Sequence, residues 1–270
     1  MKVFNPNQYQ AKKRFGQNFL QDPAIIDRIV KSIQPRENDN IVEIGPGLGA
    51  ITREILPYSK AISVIELDRD IIPKLKFNCD RVGELTIYQQ DALKTNFSEF
   101  AKTQSNGSSG IRVIGNLPYN ISTPIMFHLF DFLDDIQDMH FMLQKEVVER
   151  MSAAPNSKTY GRLSVMTQYF CKPQMLFVVP PESFEPAPKV DSAIVRLVPN
   201  QNKPDIADFK LFSTMVTEAF NMRRKTIRNA WKKRLILDEF DIIGIKSNLR
   251  PENLSLDNFV AAANFVSAKA

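Results

Sequence analysis

The amino-acid sequence predicts an α/β fold, in which a parallel sheet is followed by a smaller domain made only of helices. Three observations carry this prediction. The chain has 270 residues, which is enough for about two domains. Short apolar runs alternate with helical segments between residues 40 and 198, and after residue 205 the periodicity is helical throughout. Runs that are apolar on both faces are typical of strands covered by helices on each side of a sheet.

The predicted elements begin with a helix at Asp22-Pro23, because Asp caps a helix and Pro suits its first position. The apolar runs then predict strands at residues 40–44, 61–65, 85–90, 111–115, 139–143, 175–179 and 193–198. Helices are predicted between them at residues 50–57, 69–79, 124–132, 145–152 and 162–170. Thr123-Pro124 predicts a second capped helix start of the same kind.

Two segments have the composition of connections. Residues 103–110 (TQSNGSSG) predict a loop without chemistry, because small polar residues dominate them. Residues 199–205 (PNQNKPD) predict a linker. We therefore expect a first domain at residues 1–199 and a helical second domain at residues 205–270.

The composition excludes several classes of protein. An apolar fraction of 43% and a charged fraction of 24% are ordinary for a globular chain. The sequence holds no apolar run long enough for a transmembrane helix, and its polar N-terminus lacks the apolar region of a secretory signal. Two cysteines cannot form a disulfide framework, and two histidines argue against a histidine-based metal site. We expect a monomer in the cytoplasm that binds no metal and no membrane.

Basic residues are concentrated in two acid-free stretches, although the net charge is only +5. Residues 1–21 carry four, including Lys12, and residues 221–234 carry Arg223, Arg224, Lys225, Arg228, Lys232, Lys233 and Arg234. If the second stretch were one helix, Arg224, Arg228 and Lys232 would form a cationic stripe beside an apolar one of Phe220, Ile227 and Trp231. Such a stripe favours a phosphate backbone as partner, the alternative being a solvated helix face.

A glycine-rich stretch, Glu43-Ile44-Gly45-Pro46-Gly47-Leu48-Gly49, lies at the junction of the first predicted strand and its helix. Glycines at the carboxyl edge of a sheet let a ligand approach the backbone closely. The pattern fits a dinucleotide fingerprint through Gly45, Gly47 and Ala50, and it also fits a turn without a ligand. Pro46 has no N–H for a pyrophosphate, which favours a phosphate-free cofactor such as S-adenosylmethionine.

Two acidic residues follow the next strands along the chain. Glu66 ends the second strand and can accept hydrogen bonds from both hydroxyls of a ribose, in NAD or in S-adenosylmethionine. Asp91 lies just beyond the third strand, where it can accept from the exocyclic amine of an adenine. Taken alone, each is more simply read as a surface carboxylate. Their position on successive strand ends is what predicts a nucleoside site.

The stretch Asn116-Leu117-Pro118-Tyr119 follows the strand predicted at residues 111–115. An aromatic amine is a poor nucleophile because its lone pair is delocalised. The Asn116 side-chain oxygen and the backbone carbonyl of Leu117 or Pro118 can accept its two hydrogens and direct the lone pair at a methyl group. Tyr119 can stack on the base. These residues predict methyl transfer to an amine, and they would have no role in a nucleotide-dependent oxidoreductase.

The sequence resembles the ribosomal RNA adenine N6-dimethyltransferases. Besides the stretches above, the matching segments are residues 17–20 (QNFL), 143–148 (LQKEVV), 160–165 (YGRLSV), 184–192 (FEPAPKVDS) and 219–229 (AFNMRRKTIRN). The Leu after Asn116 and the Arg-Arg-Lys run point to the branch that acts on the small subunit. The resemblance implies a Rossmann-like class I methyltransferase domain and dimethylation of two adjacent adenines, in a hairpin loop near the 3′ end of 16S rRNA, during small-subunit assembly.

The same resemblance implies roles for individual residues. Asn18 and Leu20 would line the cofactor pocket with Gly45, Gly47, Glu66, Asp91 and Asn116. Tyr119 and Phe184 would sandwich the target base. Apart from the resemblance, their charge makes Lys158 and Arg162 candidate RNA contacts beside the run of residues 223–232. We expect catalysis in residues 1–199 and RNA binding in the helical domain of residues 205–270. Two alternatives stay open: a resistance-type enzyme acting on large-subunit RNA, and a ribosome-assembly factor that keeps the fold without the reaction.

Overall fold

The computed structural model describes residues 11–12, 16–103, 110–222 and 224–269. Most of the predicted loop at residues 103–110, and the candidate RNA contact Arg223, lie outside them.

The chain forms two compact units, one of Met1–Val148 with Gln174–Pro199 and one of Glu149–Pro173 with Asn200–Ala270. The second unit includes residues that precede the predicted linker, and the division into domains at residues 199–205 stays a prediction. Within the described residues, no helix has the length and apolar character needed to span a membrane.

The strands of the described residues mostly belong to one large sheet. They are β1 (Phe19–Leu20), β2 (Asn40–Ile44), β3 (Ala61–Ile65), β4 (Glu84–Tyr88), β5 (Ile111–Asn116), β6 (Ile136–Gln144), β7 (Cys171–Val179), β8 (Phe184–Glu185) and β9 (Ser192–Pro199). The large sheet has the order β4-β3-β2-β5-β6-β9-β7, and β1 pairs separately with β8. Its strands from β4 to β6 are parallel, whereas β9 is antiparallel to β6.

The helices of the described residues alternate with these strands and then follow them. They are α1 (Pro23–Ile33), α2 (Ala50–Ser59), α3 (Ile72–Asn78), α4 (Ser98–Thr103), α5 (Ser122–Phe130), α6 (Lys145–Met151), α7 (Arg162–Phe170), α8 (Phe209–Asn221), α9 (Ile227–Ala230), α10 (Leu237–Ile242) and α11 (Leu256–Lys269). This alternation, followed by helices alone, confirms the predicted α/β fold with a helical C-terminus.

Most predicted elements form, because their apolar residues are buried. Strand β2 is buried along its whole length, and it pairs with β3 on one side and β5 on the other. Asp22 caps α1 as predicted, since its side chain accepts from Ala24 N–H at 2.9 Å. The predicted start at Thr123 is wrong, because α5 begins at Ser122. Pro124 is tolerated there because N–H groups in the first turn of a helix have no intrahelical partner.

Residues 221–234 do not form one helix, so the three-cation stripe is not made. Helix α8 ends at Asn221, and α9 comprises only Ile227–Ala230. The break has a tertiary cause, because Ile227 N–H donates to Leu249 O at 2.7 Å instead of to a helical carbonyl. The expected apolar anchor is nevertheless present, since Ile227 and Trp231 are fully buried and Trp231 Nε1 donates to Met215 O at 3.0 Å.

Candidate functional site

The ends of β2, β3, β4 and β5 meet at one edge of the sheet, where the strand order changes direction between β2 and β5. Open α/β sheets bind ligands at such a switch point. A cavity of about 350 Å³ lies there in the first unit. It brings together Asn18, Leu20, Gly45, Gly47, Glu66, Asp91, Asn116, Leu117, Pro118, Tyr119 and Phe184, which are the predicted cofactor and catalytic residues.

The glycine-rich loop forms the floor of this cavity. Gly47 has a φ of +57°, a conformation that side chains rarely adopt, and a Cβ there would stand 3.3 Å from the ring of Phe19. Gly49 has a φ of +86° and caps α2, and a Cβ there would stand 2.9 Å from Leu75. The loop therefore requires glycine at these two positions, and its backbone is open to a ligand.

Glu66 lies directly after β3 and is only 7% exposed. Its Oε1 accepts from Asp68 N–H at 2.8 Å, which fixes the carboxylate at the cavity wall. Burial raises the pKa of Glu66, while backbone N–H groups of Asp68 and Gly47 act in the opposite direction. A carboxylate has about four lone-pair sites, so Glu66 can accept further hydrogen bonds from a ligand.

Asp91 follows β4 and lines the same cavity. Its Oδ1 accepts from Leu93 N–H at 3.0 Å, so the carboxylate is held in one orientation. Leu67, Ala92 and Leu93 add apolar surface next to the two acids. Two separate acceptors flanking an apolar slot fit a nucleoside, whose ribose and amino groups are donors and whose base is flat and apolar.

Asn116 is the last residue of β5, and its side chain has a fixed orientation. Its Nδ2 donates to the backbone oxygen of Asn18 at 3.1 Å, which leaves Oδ1 as the acceptor. The neighbouring Leu117 is buried, and its N–H donates to Met142 O at 3.2 Å. Pro118 O accepts from Ile121 N–H at 3.1 Å. The turn after β5 is thus held by bonds on both sides of the predicted amine-binding residues.

Two aromatic side chains line the same cavity as Asn116. The hydroxyl groups of Tyr119 and Ser192 are 2.8 Å apart, which tethers the Tyr119 ring. Burial raises the pKa of Tyr119 above its ordinary value, although the bond with Ser192 acts in the opposite direction. Phe184 is 4% exposed and lies opposite Leu20 in the β1–β8 pair. Aromatic faces of this kind stack on a planar base.

Glu43 belongs to the predicted glycine-rich stretch but was given no role of its own, and it lies within β2 and lines the cavity. It is 2% exposed, and its Oε2 accepts from Thr52 Oγ1 at 2.6 Å. Burial raises the pKa of Glu43 to about 7. The available signal was an acidic residue inside an otherwise apolar strand, since buried carboxylates are rare without a role.

The second unit carries the predicted RNA contacts that the structure describes. Arg224, Lys225, Arg228 and Lys232 are exposed, and so are Lys158 and Arg162. Residues 221–234 hold no acid, as the sequence shows, but Arg234 is neutralised from outside the stretch, because its guanidinium donates to both oxygens of Glu218 at 2.6 and 2.7 Å. Glu218 lies in α8, ahead of the basic run.

The two basic segments of the second unit share one aromatic core. Tyr160, which lies between Lys158 and Arg162, contacts Phe220 with ring centroids 6.0 Å apart. Phe220 stacks on Phe259 at 5.7 Å, and Trp231 meets Phe259 edge-on at 5.8 Å. The cations of both segments therefore project from a common rigid base.

Comparison with known proteins gives matches along almost the whole chain. The family model described as ribosomal RNA adenine dimethylase matches residues 8–268. The "Ribosomal RNA small subunit methyltransferase A" of Vibrio parahaemolyticus is 52% identical over 260 residues, covering 96% of this chain and 95% of the relative.

Two solved structures have a similar fold. A dimethyladenosine transferase from Plasmodium falciparum is 26% identical with a TM-score of 0.78, covering 93% of this chain and 98% of that one. The 23S rRNA methyltransferase ErmE has a TM-score of 0.72 at 21% identity, covering 93% of this chain and 100% of that one, which shows the fold alone. The family model matches residues 8–268, and about half of all residues are identical to those of the Vibrio protein. This chain therefore belongs to the ribosomal RNA adenine dimethylase family.

Proposed function

We propose that this chain transfers methyl groups from S-adenosylmethionine to the N6 amines of two adjacent adenines, in a hairpin loop near the 3′ end of 16S rRNA. The observation that carries the proposal is the fixed amide of Asn116 between the glycine-rich loop and two aromatic rings. An oxidoreductase would have no use for an acceptor directed at an amine. The similarity to a protein named for the small subunit favours 16S rRNA over large-subunit RNA.

S-adenosylmethionine brings a methyl group that is already activated by a positively charged sulfur. Glu66 would accept hydrogen bonds from the ribose hydroxyls, and Asp91 from the exocyclic amine of the adenine. The backbone at Gly45 and Gly47 gives the cofactor close access, and Pro46 offers no N–H for a pyrophosphate. This set of donors and acceptors is complementary to S-adenosylmethionine and leaves a dinucleotide phosphate without a partner.

The target amine needs two acceptors in fixed positions. Asn116 Oδ1 is one, because Asn18 holds its amide nitrogen. We assign the second to the Leu117 carbonyl, since Pro118 O already accepts from Ile121 N–H. Accepting both amine hydrogens draws the nitrogen toward tetrahedral geometry and directs its lone pair at the methyl group. The methylated nitrogen would carry a positive charge and would lose its extra proton to water afterwards, so no general base is required in the transfer itself. Positioning of this kind can contribute about 7–11 kcal/mol.

The target adenine would lie between Tyr119 and Phe184. A base inside a folded RNA must leave its stack to reach such a site, and aromatic side chains replace the stacking that it loses. The tether from Ser192 to Tyr119 limits the freedom of the ring, which reduces the entropy lost on binding.

RNA binding would come from the exposed cations of the second unit. Arg224, Lys225, Arg228 and Lys232 extend from turns and from one short helix, where long side chains can adapt to phosphates. We further propose that the protein acts as a monomer in the cytoplasm on an assembling 30S particle. Its two cysteines, Cys79 and Cys171, are buried and reduced, which fits that compartment.

The proposal is tested by transfer of tritiated methyl groups to 30S particles that lack the modification, followed by mapping of the labelled bases. We expect label on two adjacent adenines of 16S rRNA and none on 50S particles in a parallel reaction. Label on 23S rRNA would support the resistance-type alternative. Tight particle binding without label would support an assembly factor without methyltransferase activity.

A further inference from the structure

Lys12 and residues 16–20 form an N-terminal segment, here called the strap, at the wall of the cavity. Residues 16–20 all line it. The sequence places Lys12 among unpaired cations, which would make it available to RNA. The structure corrects this expectation, because Lys12 is engaged with two carboxylates of the loop that follows β3.

Lys12 is held at several points at once. Its Nζ lies 2.7 Å from Asp68 Oδ1 and 2.6 Å from Asp70 Oδ2. Its backbone N–H donates to Gln17 Oε1 at 2.8 Å, and Gln17 Nε2 donates to Asp68 Oδ2 at 3.3 Å. The Asp68 side chain is only 2% exposed. A carboxylate buried in this way loses much more than a solvated one when its cation is removed.

The chain offers a direct contrast in the ion pair of Lys31 with Asp27. That pair has the same Nζ–O distance of 2.6 Å, but its side chains are 75% and 59% exposed. Exposed pairs of this kind contribute little, because water solvates both partners almost as well. The Lys12 cluster is therefore a specific anchor, whereas the Lys31 pair is an ordinary surface contact.

The strap contacts both parts of the proposed site. On the cofactor side, Asp68 N–H donates to Glu66 Oε1, and the ring of Phe19 covers Gly47. On the side of the target base, Asn18 O accepts from Asn116 Nδ2, and Leu20 pairs with Phe184. One short segment thus touches the acceptor of the amine and a ring proposed to stack on the base, and it binds the aspartate whose N–H holds the proposed acceptor of the ribose.

We propose that Lys12 is a positioning residue for methyl transfer, which it serves by anchoring the strap to Asp68 and Asp70 so that Asn18 holds the amide of Asn116. This inference rests on the proposed function. Without the anchor, only Gln17 and the β1–β8 pair among the contacts described above hold the strap in place, so Asn18 fixes the orientation of the Asn116 amide less firmly. The cofactor site opens at the same time, so bound S-adenosylmethionine escapes faster.

The test uses the full chain with Lys12→Met, Lys12→Arg and the matched control Lys31→Met. Three quantities are measured: single-turnover methylation of saturating unmodified 30S particles, dissociation of S-adenosylmethionine without RNA, and particle affinity across a salt series. For Lys12→Met we expect methylation slower by about tenfold or more and faster cofactor dissociation, with particle affinity and its salt slope unchanged. Lys12→Arg should recover most of the rate, and Lys31→Met should match the wild type.

Wild-type methylation and cofactor dissociation in Lys12→Met would overturn the proposal. A loss confined to particle affinity, with a shallower salt slope, would overturn it as well and make Lys12 an RNA contact. The melting temperature identifies any variant that fails to fold. If Lys12→Met fails to fold, Asp70→Asn replaces it, because Asp70 is the exposed partner of Lys12 and its loss breaks only one of the two ion pairs. The dissociation measurement needs no RNA, so it tests whether Lys12 anchors the cofactor side of the cavity even if the wild type does not methylate 30S particles.

Discussion

The cavity of the first unit and the basic surface of the second are built in opposite ways. In the cavity, Glu66 follows β3 and Asn116 ends β5, and backbone groups of Asp68 and Asn18 hold their side chains. On the basic surface, Arg224, Arg228 and Lys232 are exposed side chains on turns and a single helical turn. Preorganised groups suit a reaction that needs a fixed direction of attack, whereas mobile cations suit a phosphate backbone. We therefore expect the first unit to determine the rate of methyl transfer and the second unit to determine the affinity for RNA.

The largest effect is expected for Asn116→Ala. Methyl transfer in a single turnover should fall by about two to three orders of magnitude, the usual effect of removing one preorganised hydrogen-bonding group. Binding of 30S particles should stay close to wild type, because the lost bond matters chiefly in the transition state. Asn96→Ala, an exposed position outside the cavity, is the control. A rate within about threefold of wild type would remove Asn116 from the mechanism.

The next effect concerns the cofactor alone. Glu66→Ala removes the proposed acceptor of the ribose hydroxyls, and it should weaken S-adenosylmethionine binding by about 1.5–3 kcal/mol, the range for hydrogen bonds to a charged group. Isothermal titration calorimetry without RNA measures this loss. Glu84→Ala, at the other end of β4, should bind as wild type does. Unchanged affinity in Glu66→Ala, or equal affinity of the wild type for NAD, would contradict the cofactor assignment.

A smaller effect is expected from the basic surface. Changing Arg224, Arg228 and Lys232 together to Gln should weaken 30S binding by about tenfold at moderate salt, with cofactor affinity unchanged. Each lost phosphate contact should reduce the log–log salt slope by roughly 0.7–0.9. Arg234→Gln is the matched control, because Glu218 already neutralises that cation. Equal slopes for the triple variant and the wild type would mean that these cations form only a solvated surface.

The smallest effect is a pH dependence of stability caused by Glu43. The pKa of Glu43 is about 7 in the folded protein, against an ordinary value of 4.5. Between pH 4.5 and pH 7, unfolding therefore releases the proton that Glu43 holds in the folded protein. This group's contribution to the unfolding free energy is therefore full at low pH and is lost as the pH rises through about 7. From pH 5 to pH 7.5, the melting temperature of the wild type should fall relative to that of Glu43→Gln. A constant difference would contradict the raised pKa.

Local patterns in the sequence predicted most of the fold and most of the cavity. The bounds of β2 and β3 follow from apolar runs, and the chemistry at Gly45, Glu66 and Asn116 follows from the rule that parallel strand ends share one edge. The family resemblance supplied Asn18, Leu20 and Phe184, whose roles no local pattern indicates.

Interactions between distant residues were not predictable from the sequence. Lys12 and Asp68 are 56 positions apart, and nothing in the charge pattern pairs them. The break in the basic run depends on a bond from Ile227 to Leu249, which is equally invisible in a search for helical periodicity. The sequence shows which side chains are cations, but the partner of each cation depends on the tertiary structure.

The division of labour between the two units is tested most directly by measuring Asn116→Ala and the triple variant of Arg224, Arg228 and Lys232 side by side. Both are assayed on one preparation of unmodified 30S particles, for the single-turnover rate at saturation and for the salt slope of binding. We predict that Asn116→Ala loses the rate and keeps the slope, and that the triple variant keeps the rate and loses slope. If either variant lost both quantities to the same degree, rate and RNA affinity would not reside in separate parts of the chain.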